Sequence, residues 1–267
     1  MNFSKYHALG NAYLVIAAPP ADLALTPAQI SMLCDRRLGI GSDGVLLGPL
    51  PSTQADFRLR IFNPDGSEAE KSGNGLRIFA RYLRDAALVR DAPFTIETSG
   101  GVVVAQVSGE GGTVRVEMGK VRFPGVPRDT EELVVQGTTF RYCLADIGNP
   151  HCVVLDPDPT EARARQYGPL LERHPLLPQR TNVQFMAIVD RRNIRLEIWE
   201  RGAGYTFASG TSSCAAAAVA HRLGLCDAGV VVHMRGGDLH IDLDAQFNTS
   251  MTGPVVYICK GEVALER

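Results

Sequence analysis

Neither sign of charge is in excess in this chain: 27 Lys plus Arg stand against 29 Asp plus Glu, a formal net charge of -2 over 267 residues. A balanced chain has no basic field with which to hold nucleic acid, since that binding rests on clustered Lys and Arg. A small-molecule ligand is expected instead. Long apolar runs are also missing. No stretch approaches the roughly 18 residues of a membrane span, and the opening MNFSKYHALGNAY lacks the apolar h-region of a signal peptide, so a cytoplasmic protein without membrane contact is expected. The six cysteines, Cys34, Cys143, Cys152, Cys214, Cys226 and Cys259, contain no C-x-x-C pair and partly fall in apolar runs such as VVYICK; they read as reduced core residues. There is no H-E-x-x-H, no Walker loop and no G-x-G-x-x-G after a strand, and the GNG at 73–75 is too short to count. No metal and no cofactor are expected.

Turn formers are plentiful, with 27 Gly and 16 Pro, which predicts many short strands. Alternating or β-branched runs predict strands at 13–16, 57–62, 94–98, 102–107, 113–118, 132–135, 138–144, 151–155, 182–189, 193–199, 230–234, 239–243 and 255–262. Helices are predicted at 27–34 and 160–171, each preceded or opened by a threonine suited to an N-cap. Two more follow Ser-Gly pairs. Ser72-Gly73-Asn74-Gly75 leads into LRIFARYLR, and Ser209-Gly210-Thr211-Ser212 leads into SCAAAAVAHRLG. The two serines are 137 residues apart, each behind a strand-like run ending in a polar turn. One repeat is too few for a solenoid and suggests two pseudo-symmetric domains facing each other, with the site in the cleft.

A helix start carries unpaired N–H groups and about half a positive charge, and glycine lets a ligand approach it. Two such starts suit a carboxylate, with Ser72 and Ser209 on opposite sides of the attached carbon. Ser-Gly before a helix is also an ordinary cap, and only the duplication argues for chemistry. Asn11, Asn63, Asn74, Asn149 and Asn182 stand beside Gly or Pro or at strand ends, where amides could meet a zwitterion or simply close turns. Glu200-Arg201 ends an apolar strand before Gly202; Arg suits a carboxylate bidentately, though a surface ion pair is the plainer alternative. His151 is a candidate general base or a structural histidine, and His7 is a weaker candidate.

Together KYHALGNAY, GIGSDGVLL, FNPDGSEAEKSGNGLR, GNPHCV, RTNVQF and WERGAGYTFASGT, spread over nearly the whole chain, resemble the diaminopimelate epimerases. The resemblance implies an α+β fold of two pseudo-symmetric domains, each a mostly antiparallel sheet wrapped round a central helix, here 1–110 plus 254–267 and 111–253. It implies interconversion of LL- and meso-diaminopimelate by two-base α-proton transfer without pyridoxal phosphate, toward lysine and peptidoglycan precursors, by a cytoplasmic homodimer. The family's two acid/base cysteines correspond to Ser72 and Ser209. A thiol titrates near 8.5, whereas a serine hydroxyl needs an adjacent activating group. Ala12, Tyr205 and Ile78 are further departures from the family pattern. The substrate-holding positions carry over as Asn11, Asn63, Asn149, Asn182 and Arg201, with Gly73, Asn74, Gly210 and Thr211 forming the backbone cradle. The resemblance pairs Ser72 with His151 on one face and Ser209 with Glu200 on the other. A related isomerase or racemase on another amino or carboxylic acid, and a non-catalytic amino-acid-binding homologue, are the alternative readings.

Overall fold

A computed structural model describes residues 1–17, 25–109, 112–124, 130–177 and 179–264. The chain divides into two compact units, Met1–Glu117 with Gly253–Arg267, and Met118–Thr252.

The first unit begins with β1 (Asn2–Ala8), β2 (Asn11–Ile16), α1 (Pro27–Cys34), β3 (Val45–Leu50), β4 (Phe57–Phe62) and β5 (Glu68–Ala69). It continues through α2 (Gly73–Asp85), β6 (Phe94–Thr98), β7 (Gly101–Ser108) and β8 (Thr113–Lys120). The second unit holds β9 (Glu131–Val135), β10 (Thr138–Asp146), β11 (Pro150–Leu155), α3 (Glu161–Glu172), β12 (Asn182–Asp190) and β13 (Asn193–Glu200). β14 (Gly204–Thr206), α4 (Gly210–Arg222), β15 (Gly229–Met234), β16 (Gly237–Leu243) and β17 (Asn248–Pro254) follow, and β18 (Val256–Glu262) returns to the first unit.

The units repeat one plan. In the first, the strands run β18, β1, β2, β3, β4, β6, β7, β8, with β5 also on β4. In the second they run β9, β10, β11, β12, β13, β15, β16, β17, with β14 on β13. Among these pairs within the two units, in the described residues, β2 with β3 and β4 with β6, and their counterparts β11 with β12 and β13 with β15, are parallel. A parallel pair cannot be joined by a hairpin, so each needs a crossover connection. Those connections carry the helices: α1 and α3 in the first crossover of each unit, α2 and α4 in the second.

Each second-crossover helix is the core of its sheet. α2 packs on β1, β2, β3 and β7, and α4 on β10, β11, β12, β13, β15 and β16. In α4 the run from Ser212 to Ala220 is buried throughout; its alanines let strands approach on many sides without a large side chain between. The described residues thus form an α+β fold, mostly strands with four helices.

Several strands depart from the sequence expectation. β3 was hidden because Gly48 and Pro49 interrupt its apolar run, and its register shifts between Leu47 and Leu50. β17, NTSMTGP, is too polar to read as a strand yet pairs with β16. β1, β5 and β14 were likewise missed, β5 and β14 because they are only two and three residues long. Cys259 is not a core residue: it lies exposed on β18, whose residues from Val256 to Lys260 are all exposed, and Cys143 is half-buried. The other four cysteines are buried, and all six are free thiols.

Candidate active site

In the first unit, the β1–β2 hairpin turns at Leu9 and Gly10, both with positive φ (54° and 86°), as primed hairpin turns require. That turn presents Asn11 at the start of β2, and the two-residue strand period places Tyr13 on the same face. Ser72 caps α2 from an extended backbone (φ −138°, ψ 117°), its Oγ accepting the Gly75 N–H at 3.1 Å. A Cβ on Gly75 would lie 3.2 Å from Ser72 Cβ and 3.1 Å from Leu46, so the missing side chain leaves room for the cap. Tyr13 Oη lies 3.2 Å from Ser72 Oγ. Asn74 Nδ2 donates to Asn11 Oδ1 (3.1 Å), and Asn74 Oδ1 accepts from the fully buried Arg77 (2.7 Å), so the amide orientations are fixed. Gly73 is the first helical residue. Asn63 is exposed and tied into its own NPDGS turn, donating from Nδ2 to Ser67 Oγ at 3.0 Å. The structure therefore joins Asn11, Tyr13, Ser72 and Asn74, while the side-chain bond of Asn63 closes a turn.

The second unit builds the same cap. Ser209 (φ −146°, ψ 124°) precedes α4 and accepts the Ser212 N–H at 3.5 Å; Gly210 and Thr211 open the helix. The Glu200 carboxyl, at the end of β13, lies close enough to the Ser209 hydroxyl to be influenced by it. Burial pushes the Glu200 carboxyl above the usual carboxylate range, and the neighbouring Ser209 hydroxyl draws it partly back.

His151 stands in β11 directly beside Asn182 of the parallel β12. It is fully buried, with Nδ1 3.0 Å from Gln184 Nε2 and Nε2 2.9 Å from Asn149 Oδ1. With the amides so oriented, the ring proton sits on Nε2. Burial pulls its pKa down to about 3, helped by the Arg201 charge and opposed by the Gln184 hydrogen bond. The ring is thus neutral with both nitrogens engaged, rather than a free base. Gln184 Nε2 also donates to Ser212 Oγ (3.0 Å), wiring His151 to the first turn of α4.

Asn182 donates to the Pro150 carbonyl (3.0 Å) and accepts the Arg201 N–H (3.0 Å), which sets the Glu200-Arg201 turn. The exposed Arg201 donates from one guanidinium nitrogen to the Gln179 carbonyl (3.2 Å). Buried Glu172 secures the turn from below, accepting from Trp199 Nε1 (2.7 Å), Gly202 N (3.1 Å) and Arg180. Burial pushes its carboxyl up, but these hydrogen bonds outweigh that and hold it below the usual range.

Tyr13, Gln184, Ser212 and Glu172 were missed by sequence reasoning. Two of them carried a signal, since Tyr13 is two residues after Asn11 and Gln184 two after Asn182, and alternate residues of a strand share a face. Among the described residues, no group of three or more His, Cys, Asp or Glu is placed to hold a metal ion, and no helix is long and apolar enough to cross a membrane.

The duplicated sheet-and-helix plan is shared with solved racemase and epimerase structures. A probable proline racemase from Agrobacterium radiobacter aligns with a TM-score of 0.74 at 19% identity, over 99% of this chain and 93% of that one. A hydroxyproline epimerase from Agrobacterium vitis gives 0.73 at 18% identity, over 100% and 93%. At the level of fold, the chain is of the same class. It belongs to the diaminopimelate epimerase family, whose model matches residues 3–124 and 143–258. It is 55% identical to Diaminopimelate epimerase 2 of Nostoc sp., over all of this chain and 96% of that protein. It is 42% identical to the diaminopimelate epimerase of Moorella thermoacetica over the full length of both.

Proposed function

We propose that this protein is an enzyme that interconverts LL- and meso-diaminopimelate by two-base α-proton transfer, without pyridoxal phosphate or metal, on the route to lysine and peptidoglycan precursors. The observation that carries the reading is the duplicated cap: each unit presents a serine hydroxyl at a helix start beside a second group able to exchange a proton, the Tyr13 hydroxyl 3.2 Å from Ser72 Oγ and the Glu200 carboxyl near Ser209.

Inversion requires a proton to leave one side of the α-carbon and another to arrive on the opposite side. With Ser209 as base, its hydroxyl proton passes to Glu200 as Ser209 takes the α-proton, and the bonding pair stays on carbon. The raised Glu200 carboxyl is better matched to this task than an ordinary carboxylate. Ser72 returns a proton from the other side. The N–H groups of Gly73 and Asn74, and of Gly210 and Thr211, stabilise the negative charge that spreads onto the substrate carboxylate. Asn11, Asn63, Asn149 and Asn182 hold amino and carboxylate groups, with neutral His151 orienting the Asn149 amide. Arg201 takes the distal carboxylate. The homodimer and cytoplasmic location belong to this proposal; the exposed apolar row Val256, Tyr257 and Ile258 on β18 supports self-association.

The test is incubation with each diaminopimelate isomer in heavy water, with chiral separation of products and light scattering for mass. Deuterium uptake at the α-carbon with stereochemical inversion is expected. Tight binding without exchange would make the chain a non-catalytic homologue, and exchange confined to another amino acid would make it a related racemase.

A further inference from the structure

The internal repeat exposes a difference between its halves. Hairpin β4–β5 pairs Phe62 with Glu68, ten residues before Ser72, and hairpin β13–β14 pairs Trp199 with Tyr205, ten residues before Ser209. Superposing these registers puts Asn63 at the position of Glu200. The carboxylate that serves Ser209 is thus an amide in the first unit, and an amide cannot take or give the proton. The same repeat aligns Gly10-Asn11-Ala12-Tyr13 with Gly148-Asn149-Pro150-His151. Tyr13 therefore occupies the place of His151, but its hydroxyl reaches the capping serine of its own unit, 3.2 Å from Ser72 Oγ.

We propose that Tyr13 is the proton relay of the first half-site, supplying through Ser72 what Glu200 supplies in the second. This inference rests on the epimerase reading. Ser72 Oγ has two lone pairs and one hydrogen; Gly75 N–H occupies one lone pair, and in the relay the 3.2 Å contact to the Tyr13 hydroxyl is used with Tyr13 donating, which fills the other. The serine hydrogen is then free to point at a carbanion. As the carbanion pair forms the new C–H bond with that hydrogen, the Ser72 O–H bond breaks. The Tyr13 proton moves onto Ser72 Oγ, and the negative charge comes to rest on the phenol. In reverse, the phenolate takes the Ser72 proton while Ser72 takes the α-proton, leaving the pair on carbon. No alkoxide persists at either stage. A phenol titrates near 10, well below an aliphatic alcohol, which is the reason to end the relay there.

Tyr13 is held for this work rather than merely near it. Its neighbours are bonded to one loop, Ala12 N–H to Asp43 Oδ2 (2.8 Å) and Leu14 N–H to the Gly44 carbonyl (3.1 Å). Gly44 yields its side-chain space to the ring, since a Cβ there would fall 2.5 Å from Tyr13 Cε1.

The experiment compares full-length wild type, Tyr13→Phe, Ser72→Cys and the double variant for inversion of both diaminopimelate isomers as a function of pH. Tyr13→Phe should lower kcat by about 10²-fold with KM little changed, the usual scale of one positioned proton donor. Ser72→Cys in the Tyr13→Phe background should recover at least tenfold, because a thiol near pKa 8.5 needs no phenol behind it. Incorporating a fluorotyrosine at position 13 should move the alkaline limb of the kcat profile down in step with the lowered phenol pKa, a reading that does not depend on Tyr13→Phe folding. A merely structural phenol would give neither the thiol rescue nor the shifted limb. The relay is overturned if Tyr13→Phe keeps kcat within twofold, if the double variant is no faster than Tyr13→Phe, or if fluorination leaves the limb in place. A wild type silent on both isomers rejects the epimerase reading and the relay with it. Wild-type turnover with any of the three negative results rejects the relay alone.

Discussion

Ser72 and Ser209 cap helices of the same length, 13 residues each, from nearly the same backbone conformation, and both accept the N–H three residues on. Their partners differ in kind. Ser72 stands beside a phenol and Ser209 beside a buried carboxyl raised above the usual carboxylate range, so the two half-sites differ in the group that can exchange a proton with the cap. The two units offer equal scaffolds, and in the proposed mechanism a few side chains on neighbouring strands set one cap apart from the other. A serine can stand where a thiol is expected only if such a partner adjusts it.

The sharpest way to break this comparison is Glu200→Gln, which keeps shape and removes the base. Inversion should fall on the order of 10³-fold, while α-deuterium exchange from the Ser72 side survives. NMR beside chiral chromatography separates the two, and equal loss of both would erase the asymmetry. Making the halves alike is the next test. Ser72→Cys combined with Ser209→Cys should raise turnover at least tenfold, since both groups then titrate closer to working pH. The same variant should become inactivated by alkylating agents in a timed assay.

A smaller effect is expected at Arg201, in the second unit where the first has no matching cation in its NPDGS turn. Arg201→Lys should raise KM about tenfold and leave kcat nearly unchanged, because a point charge cannot reproduce a two-pronged bond to a carboxylate. Steady-state kinetics on both isomers will show it.

The last test concerns Tyr13 and His151 as equivalents, and it reads stability rather than turnover. Folded His151 stays neutral down to about pH 3, whereas in the unfolded chain it titrates near 6.5. The unfolded state therefore binds a proton that the folded state refuses, and stability falls as pH drops from about 6.5 toward 3, by at most about 1.4 kcal/mol per pH unit. Urea midpoints across that window should flatten for His151→Gln and keep their slope for Tyr13→Phe, a group that does not titrate there.

Much of this was legible in the sequence because it was local. The Ser-Gly caps, the Gly-Asn turns and the Glu-Arg strand end announce themselves within a few residues. What escaped depends on pairing between distant segments. Nothing near His151 shows that Gln184, on the parallel neighbour strand, occupies one of its nitrogens. Nothing near Trp199 shows that Glu172 at the end of α3 bonds both its indole and the following turn. Cys259 misled through an apolar stretch that lies on an exposed strand face.

The strand β18 also bears on how the protein is made. It pairs along β1 from Asn2 opposite Glu262 to His7 opposite Val256, and the amino terminus itself donates to the Val263 carbonyl at 2.7 Å. The second unit is one continuous stretch of chain, whereas the first needs both ends. During synthesis, the unit that begins first must keep one side of β1 without its partner strand until β18 has emerged, and the second unit is the first able to finish folding. Removing β18 would therefore injure the unit that is translated first.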